Sequence, residues 1–217
     1  MRFKSAIFDL DGTIANSIPD LITAMNYMLR GLGFPEAGEA HILRCINHGR
    51  REFILGCLPD GIDKESVLEK AYVLYDEYYN AHALDATFPY KGVPELIAAL
   101  HSAGIKICVL SNKPDNMTKM IVSALYNPAY FTEIRGAKEE FPHKPNPASA
   151  LYLAKLMQAD PADTVFIGDS NVDIETAVNA NMFPIGVTWG YRDESVLKNA
   201  GAKLIVNTPE EIEAFLR

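Results

Sequence analysis

The sequence predicts an α/β fold, a doubly wound and mostly parallel sheet with an inserted all-helical domain. Short apolar runs rich in Ile, Val and Phe have the character of buried strands, at Ala6–Phe8, Ile105–Leu110, Val165–Ile167, Ile185–Val187 and Leu204–Val206. Amphipathic stretches lie between the later runs. Because strands that alternate with helices form parallel sheets covered on both faces, this order predicts a sheet between two helical layers.

Several helix starts are marked in the sequence. Pro94 and Pro147 each precede an amphipathic stretch, and proline is tolerated in the first turn of a helix. Thr208 is followed three residues later by Glu211, which predicts a capping box at the start of the last helix.

The segment from Ile14 to Thr87 breaks the alternation, because it shows helical spacing of apolar residues and no convincing strand. The sequence therefore predicts a core of residues 1–14 and 88–217 and a helical domain of residues 15–87. The helical domain contains a tyrosine cluster that could line a ligand site, although packing between helices is the favoured interpretation: Tyr72, Tyr75, Tyr78 and Tyr79.

The composition excludes several classes of protein. With 48% hydrophobic and 22% charged residues among 217, the chain is an ordinary globular one. Its net charge of -8 has the wrong sign for binding nucleic-acid phosphates or acidic lipids. No apolar run approaches the ~20 residues of a membrane span, and the first residues lack the apolar core of a signal peptide. Three widely spaced cysteines fit a reducing compartment. We expect a cytoplasmic protein with no nucleic-acid or membrane partner.

Two carboxylates follow the first predicted strand, at Asp9 and Asp11. Residues two apart in an extended segment face the same way, so these side chains can converge at the end of the strand. The Asp11-Gly12 pair is also common in turns, and a turn without function is the competing interpretation. A calcium loop of the EF-hand type is excluded, because Ile14 stands where that loop requires glycine.

Two further strands end in polar residues, Ser111-Asn112-Lys113 and Gly168-Asp169-Ser170. The carboxyl ends of parallel strands share the sheet edge at which open α/β folds bind ligands. Lys144 stands near prolines that restrict its backbone, which favours a positioned lysine over a mobile one. The sequence therefore predicts one site built from three strand ends and Lys144.

The order of these motifs resembles the haloacid dehalogenase (HAD) superfamily of phosphohydrolases. The matching residues are Asp9-Leu10-Asp11-Gly12-Thr13, Ser111, Lys144 before a proline, and Gly168-Asp169-Ser170 with Asp173. The resemblance implies a Rossmann-like core, and the helical insertion is similar to the superfamily's helical cap. The segments Gly186–Arg192 and Gly201–Ile205 look most like the phosphoglycolate phosphatase branch.

The resemblance implies a Mg²⁺-dependent phosphatase that acts through an aspartyl-phosphate. Asp9 would be the nucleophile, and Asp11 would protonate the leaving oxygen and later activate water. The implied metal ligands are the carboxylates of Asp9 and Asp169 and the backbone carbonyl of Asp11, supported by Ser170 and Asp173. Phosphate would contact five residues, Gly12, Thr13, Ser111, Asn112 and Lys144.

Substrate choice is expected to depend on the helical domain, where His48 and Arg50 could meet an anionic leaving group. The alternative is that Arg50 is a solvated residue at a helix start. The phosphoglycolate phosphatase branch commonly has a glycine-rich stretch here, and this chain has Asn47-His48-Gly49-Arg50 instead. We expect a small phosphorylated metabolite, with 2-phosphoglycolate as one candidate, and a monomer or homodimer.

Two other functions use similar residues. A sugar-phosphate mutase of the same superfamily would have a nearly identical core. A phospho-accepting receiver module of a signalling system also combines acidic residues, Mg²⁺, a hydroxyl residue and a lysine. The long insertion and the second carboxylate, Asp11, argue against the receiver.

Overall fold

The computed structural model describes residues 3–47 and 49–217. The chain divides into two compact units, which we call unit 1 (Met1–Asn16 with Pro89–Arg217) and unit 2 (Ser17–Phe88). Among the described residues, no helix has both the length and the apolar character needed to cross a membrane.

The strands, in chain order, are β1 (Ser5–Phe8), β2 (Ala15–Asn16), β3 (Phe88–Pro89), β4 (Lys106–Pro114), β5 (Glu133–Ala137), β6 (Thr164–Gly168), β7 (Phe183–Val187) and β8 (Leu204–Val206). Six of them form one sheet in the order β5-β4-β1-β6-β7-β8, and neighbours are parallel. The first strand therefore lies inside the sheet, as expected of a doubly wound fold. The predicted fold class is confirmed.

The helices are α1 (Ile18–Gly31), α2 (Glu39–Cys45), α3 (Arg50–Cys57), α4 (Lys64–His82), α5 (Val93–Ser102), α6 (Asp115–Leu125), α7 (Ala148–Leu156), α8 (Asn171–Asn179), α9 (Glu194–Ala200) and α10 (Pro209–Leu216). The first four belong to unit 2, where Leu21, Met25 and Met28 of α1 are buried at helical spacing. Tyr75 and Tyr79 of α4 are buried as well, and the Tyr75 ring contacts Phe53 of α3 with ring centroids 6.0 Å apart, consistent with packing between helices.

Alternate residues of the central strands enter two different apolar cores. Phe8 and Val109 belong to the larger core, whereas Ile7, Cys108 and Phe166 belong to a second one that includes residues of α7. Side chains alternate between the faces of a strand, so a sheet covered on both faces needs apolar residues at every position. This requirement explains the uninterrupted apolar runs in the sequence.

The structure corrects three sequence expectations. The edge strand β5 was not predicted, because Glu133 and Arg135 interrupt its apolar character. The strand predicted to end at Leu110 continues to Pro114, with a shift in its register against β5 between these two residues. Helix α10 has no side-chain cap from Thr208, whose side chain is hydrogen-bonded to Glu210, and the Glu211 carboxylate accepts from the backbone N–H of Asn207 (3.3 Å).

Candidate active site

Three strand ends meet beside β1. Because β1 lies between β4 and β6, the residues that follow these strands are neighbours at one edge of the sheet. The backbone N–H of Asp9 donates to the carbonyl of Ile167 at 2.9 Å, which ties the first motif to β6. On the other side, the register shift of β4 falls on Ser111–Lys113 and changes the direction of these side chains.

Lys144 bridges two buried carboxylates. Its Nζ donates to Asp9 Oδ1 at 2.7 Å and to Asp173 Oδ1 at 2.6 Å. The side chains of Lys144, Asp9 and Asp173 are 3%, 3% and 1% exposed, so solvent barely screens these ion pairs. Burial by itself would lower the pKa of Lys144, but Asp173 and Asp9 outweigh it and hold the pKa above its ordinary value. The lysine is therefore a fixed positive charge.

The site has more carboxylates than this lysine can neutralise. Asp9, Asp169 and Asp173 are all buried and offer oxygens within 4.8 Å of one another. Burial, followed by the neighbouring Asp173, raises the pKa of Asp9 well above its usual range despite Lys144. The same two causes raise the pKa of Asp169 to about 7. Such an oxygen-rich, negatively charged set fits a divalent cation such as Mg²⁺.

Asp169 is enclosed by backbone groups of two loops. A Cβ added at Gly12 would lie 2.3 Å from Asp169 Oδ2, and one at Gly190 would lie 2.2 Å from its Cβ. The backbone N–H of Tyr191 donates to Asp169 Oδ2 at 2.7 Å, and the Thr13 hydroxyl lies 3.3 Å from Oδ1. The glycines therefore allow the first motif and the loop after β7 to approach this carboxylate closely.

Asp11 has a lysine of its own. Lys113 Nζ lies 3.0 Å from Asp11 Oδ1 and 2.9 Å from Oδ2, and both side chains are largely buried. In the sequence, Lys113 is only one of the polar residues that end a predicted strand, and no role was predicted for it. Its position at the irregular end of β4 brings it across to β1, and no spacing along the chain indicates that pairing.

Asn112 fastens the segment that carries Lys144. Its side chain accepts from the backbone N–H of Lys144 at 2.8 Å and donates to the carbonyl of the same residue at 3.0 Å. Ser111 Oγ accepts from the backbone N–H of Lys113 at 3.2 Å. The polar end of β4 thus holds the backbone of both lysine-bearing segments.

Asp173 has a second task at the start of α8. Its Oδ2 accepts from the backbone N–H and the hydroxyl of Ser170 at 3.1 and 2.6 Å, and Ser170 caps the helix in return. Gly168 makes this approach possible, because a Cβ there would lie 2.2 Å from Asp173 Cβ. A capping box therefore fixes the carboxylate that holds Lys144.

Of the two candidate residues of unit 2, Arg50 has described contacts with other residues of that unit. Arg50, the first residue of α3, forms an ion pair with Asp76, and its guanidinium lies 4.3 Å from the ring centre of Tyr72. His48 lies outside the described residues. The roles expected of both residues remain predictions.

The loop after β7 contributes more than the sequence indicated. The segment Gly186–Arg192 was used only as a sign of family branch. In the structure, Trp189 Nε1 donates to the backbone carbonyl of Thr13 at 3.0 Å, beside the contact of Tyr191 with Asp169. A fourth strand end therefore completes the site, and polar residues after the strand at Ile185–Val187 were the signal available for it.

The parallel sheet and the carboxylate site at its edge are typical of a class of hydrolases, and known proteins similar to this chain identify that class. The chain belongs to the haloacid dehalogenase-like hydrolase family, whose model matches residues 6–187. It is similar to the phosphoglycolate phosphatase of Neisseria meningitidis, with 32% identity over 202 residues that cover 92% of this chain and 86% of the relative. The phosphoglycolate phosphatase of Pseudomonas putida is 29% identical over 209 residues, which cover 94% and 76%.

Solved structures with a similar fold support the same family. A crystal structure described as a predicted phosphoglycolate phosphatase from Haemophilus somnus has a TM-score of 0.92 and 27% identity, and the match covers 100% of this chain and 99% of that one. The expected superfamily and the resemblance to its phosphoglycolate phosphatases are thereby confirmed.

Proposed function

We propose that this chain hydrolyses a small phosphomonoester with Mg²⁺, through an aspartyl-phosphate formed on Asp9. The observation that carries the proposal is the pairing of two aspartates, two residues apart, with two different lysines: Asp9 with Lys144 and Asp11 with Lys113. Separate partners allow the two carboxyl groups to perform different tasks.

Asp9 acts as the nucleophile in this proposal. An anionic carboxylate attacks an anionic phosphate only when positive charge lies beside both. Lys144, fixed by Asp173 and by the Asn112 side chain, supplies such a charge at 2.7 Å from Asp9. Asp173 therefore positions Lys144 rather than the substrate.

Asp11 acts as the general acid and base. In its protonated form it gives a proton to the leaving oxygen, and the resulting carboxylate then takes one from the water that attacks the aspartyl-phosphate. The Lys113 ammonium group, in contact with both Asp11 oxygens, orients the carboxyl and stabilises its anionic form after the first proton transfer.

The carboxylates of Asp9 and Asp169 and the backbone carbonyl of Asp11 would hold Mg²⁺, with Ser170 and Asp173 in support. When bound, the cation supplies positive charge that offsets the repulsion between phosphate and carboxylates. Phosphate oxygens are received by Ser111, the backbone at Asn112, Gly12, Thr13 and Lys144.

The substrate is a small phosphorylated metabolite, and 2-phosphoglycolate is the first candidate because the similar proteins are phosphoglycolate phosphatases. Unit 2 is the helical cap in this proposal, and His48 and Arg50 recognise the anionic leaving group. The protein works in the cytoplasm, where such metabolites occur.

A phosphate-release assay on a panel of phosphomonoesters, with Mg²⁺ and after chelation, tests the reaction. We expect turnover that requires Mg²⁺ and is fastest on a small anionic ester such as 2-phosphoglycolate. Isomerisation of a sugar phosphate without net phosphate release would show a mutase instead. A stable phosphoprotein without turnover would show a receiver module.

Substitution of Lys113 tests whether this lysine supports the proposed acid–base role of Asp11. Lys113→Met is expected to lower kcat by about 100-fold, the lower end of the contribution of acid–base catalysis, while Lys113→Arg restores part of the loss. Rapid acid quenching shows whether the phosphoenzyme accumulates because its hydrolysis has slowed. Lys119→Met, which removes a half-exposed lysine paired with Asp115, is the matched control. Full activity in Lys113→Met would contradict the role of this lysine.

A further inference from the structure

A second cluster of metal-binding side chains lies in unit 2. His41, Cys45 and Cys57 each offer a ligand atom, and these atoms lie within 4.8 Å of one another. Cys57 is buried, Cys45 is half-buried and His41 is exposed, so the cluster can be reached from solvent on the histidine side. Neither the proposed reaction nor the carboxylate site uses these residues.

The two helices bring the ligands together by simple geometry. His41 and Cys45 are four residues apart in α2 and therefore share one face of the helix. Cys57 is the last residue of α3, and Gly56 precedes it. A Cβ at Gly56 would lie only 2.8 Å from Cys45 Sγ, so the glycine lets this thiol approach the backbone of α3.

Both ring nitrogens of His41 have hydrogen-bond partners. Nε2 lies 2.9 Å from the carbonyl oxygen of Gly56, and Nδ1 lies 3.3 Å from Arg44 Nη2. A carbonyl only accepts and a guanidinium only donates, so in these contacts Nε2 is the donor and Nδ1 is the acceptor. Neutral imidazole is the form that binds metals, and both hydrogen bonds are exposed and can be exchanged for a cation.

The Cys57 thiol is not activated for oxidation or nucleophilic attack. Burial, together with the adjacent Cys45, raises the pKa of Cys57, and Lys64 opposes this shift only in part. Thiolates are the reactive species, so a raised pKa makes spontaneous chemistry slow. A metal ion, in contrast, displaces thiol protons directly when it binds.

We propose that His41, Cys45 and Cys57 bind a borderline-soft divalent cation, Zn²⁺, through two sulfur atoms and one nitrogen. Two thiolates and an imidazole are typical zinc ligands, and a water molecule completes the tetrahedron on the exposed side. Mg²⁺ prefers oxygen, so the carboxylate site and the His41–Cys45–Cys57 site select different metals. Binding would fasten α2 to α3, whose connection contains His48.

Cobalt provides a spectroscopic test, because Co²⁺ bound to thiolates shows a charge-transfer absorption that carboxylate ligands do not produce. The full chain is stripped with chelator, kept reduced with a phosphine, and saturated with Mg²⁺ to fill the carboxylate site. Titration with Co²⁺ should then produce this band, with a plateau at one equivalent per chain. Added Zn²⁺ should abolish the band by displacement.

Variants assign the ligands. His41→Ala and Cys45→Ala should each weaken Co²⁺ binding at least about 10- to 100-fold, since even residues that only orient a ligand contribute this much. Cys108→Ala is the matched control, because this thiol lies in β4, outside the cluster, and binding should be unchanged. Cys57→Ala should abolish the band. Because Cys57 is buried and its loss could disturb folding, the variant of the exposed His41 provides the independent test.

Absence of the band in the wild-type chain would overturn the proposal, as would an unchanged Co²⁺ affinity in Cys45→Ala or His41→Ala. If mild peroxide lowers the mass of the protein by two hydrogens and the reduced chain binds no cobalt, the two cysteines form a disulfide pair instead. Circular dichroism of each variant confirms that the helices are retained.

Discussion

Two charged arrangements differ sharply in how they are held, one in each unit. In unit 1, Lys144 lies between Asp9 and Asp173 with all three side chains at most 3% exposed. In unit 2, Arg50 and Asp76 form an ion pair with side chains that are 39% and 36% exposed. Burial makes the first arrangement rigid and electrostatically strong, whereas solvent screening leaves the second one weak and free to exchange partners. Under the proposed function, the buried arrangement would serve catalysis in unit 1 and the exposed one would serve recognition in unit 2.

The largest effect should come from Asp9, the proposed nucleophile. Asp9→Asn is expected to lower phosphate release about 10⁴-fold or more, because the amide cannot form the covalent intermediate. The assay uses purified protein with Mg²⁺ and the preferred ester. Asp85→Asn, an exposed carboxylate of unit 2 paired with His82, is the control and should retain full activity. Residual activity above a few percent in Asp9→Asn would show that Asp9 has another role.

The lysine and the arginine should differ in their effect on stability. Lys144→Met leaves Asp9 and Asp173 buried without their cation and should cost about 3–5 kcal/mol of unfolding free energy. Arg50→Met removes an exposed pair and should cost about 1 kcal/mol or less. Denaturant unfolding of both variants at neutral pH measures the difference. Equal losses would refute the contrast between the buried and the exposed arrangement.

Arg50 should affect substrate choice more than stability. Arg50→Ala is expected to lower kcat/KM for an anionic substrate by about 10- to 150-fold, the value of one charge-assisted hydrogen bond of about 1.5–3 kcal/mol. The loss of kcat/KM should be much smaller for an aryl phosphate, whose leaving group carries no carboxylate. Asp76→Ala frees Arg50 from its ion pair and serves as the comparison. If both variants lower kcat/KM equally for both substrates, the Arg50–Asp76 pair only supports the fold of unit 2.

A further effect concerns the dependence of stability on pH. Burial raises the pKa of Asp169 to about 7, above the value of about 3.9 in an unfolded chain. A raised carboxyl pKa contributes stability that is fully present below pH about 4 and is lost as pH rises through about 7. In chelator, Asp169→Asn should therefore gain stability relative to wild type across this window. Saturating Mg²⁺ should remove the gain. A difference that does not vary with pH would mean that Asp169 stays ionised without metal.

The main strands could be predicted because a sheet buried on both faces demands long apolar runs. Ile7, Val109 and Ile167 are all buried in the strands that the sequence indicated. The edge strand β5 escaped prediction because a strand with one neighbour tolerates charged residues, and Glu133 and Arg135 conceal it. The missing cap at Thr208 has a different cause, since Glu210 competes for the Thr208 side chain and the backbone N–H of Asn207 competes for Glu211.

The residue types at the strand ends were sufficient to predict the carboxylate site but not its internal contacts. Asp9, Asp169 and Asp173 were all candidates, and they are close together in the structure. The partnership of Lys113 with Asp11 was not predictable, because it joins positions 102 residues apart through a local shift in the register of β4. The same is true of Asn112, whose side chain holds the backbone of Lys144.

The sequence by itself determined the fold class, the superfamily and the carboxylates of the site, because apolar periodicity and motif order are local properties of the chain. Only the tertiary structure decided which lysine accompanies which aspartate, and that His41 meets Cys45 and Cys57. The physical reason is that these contacts depend on strand order, on register and on the space beside Gly12, Gly56 and Gly168. Such distances of a few ångströms are set by packing between segments that are far apart in the chain.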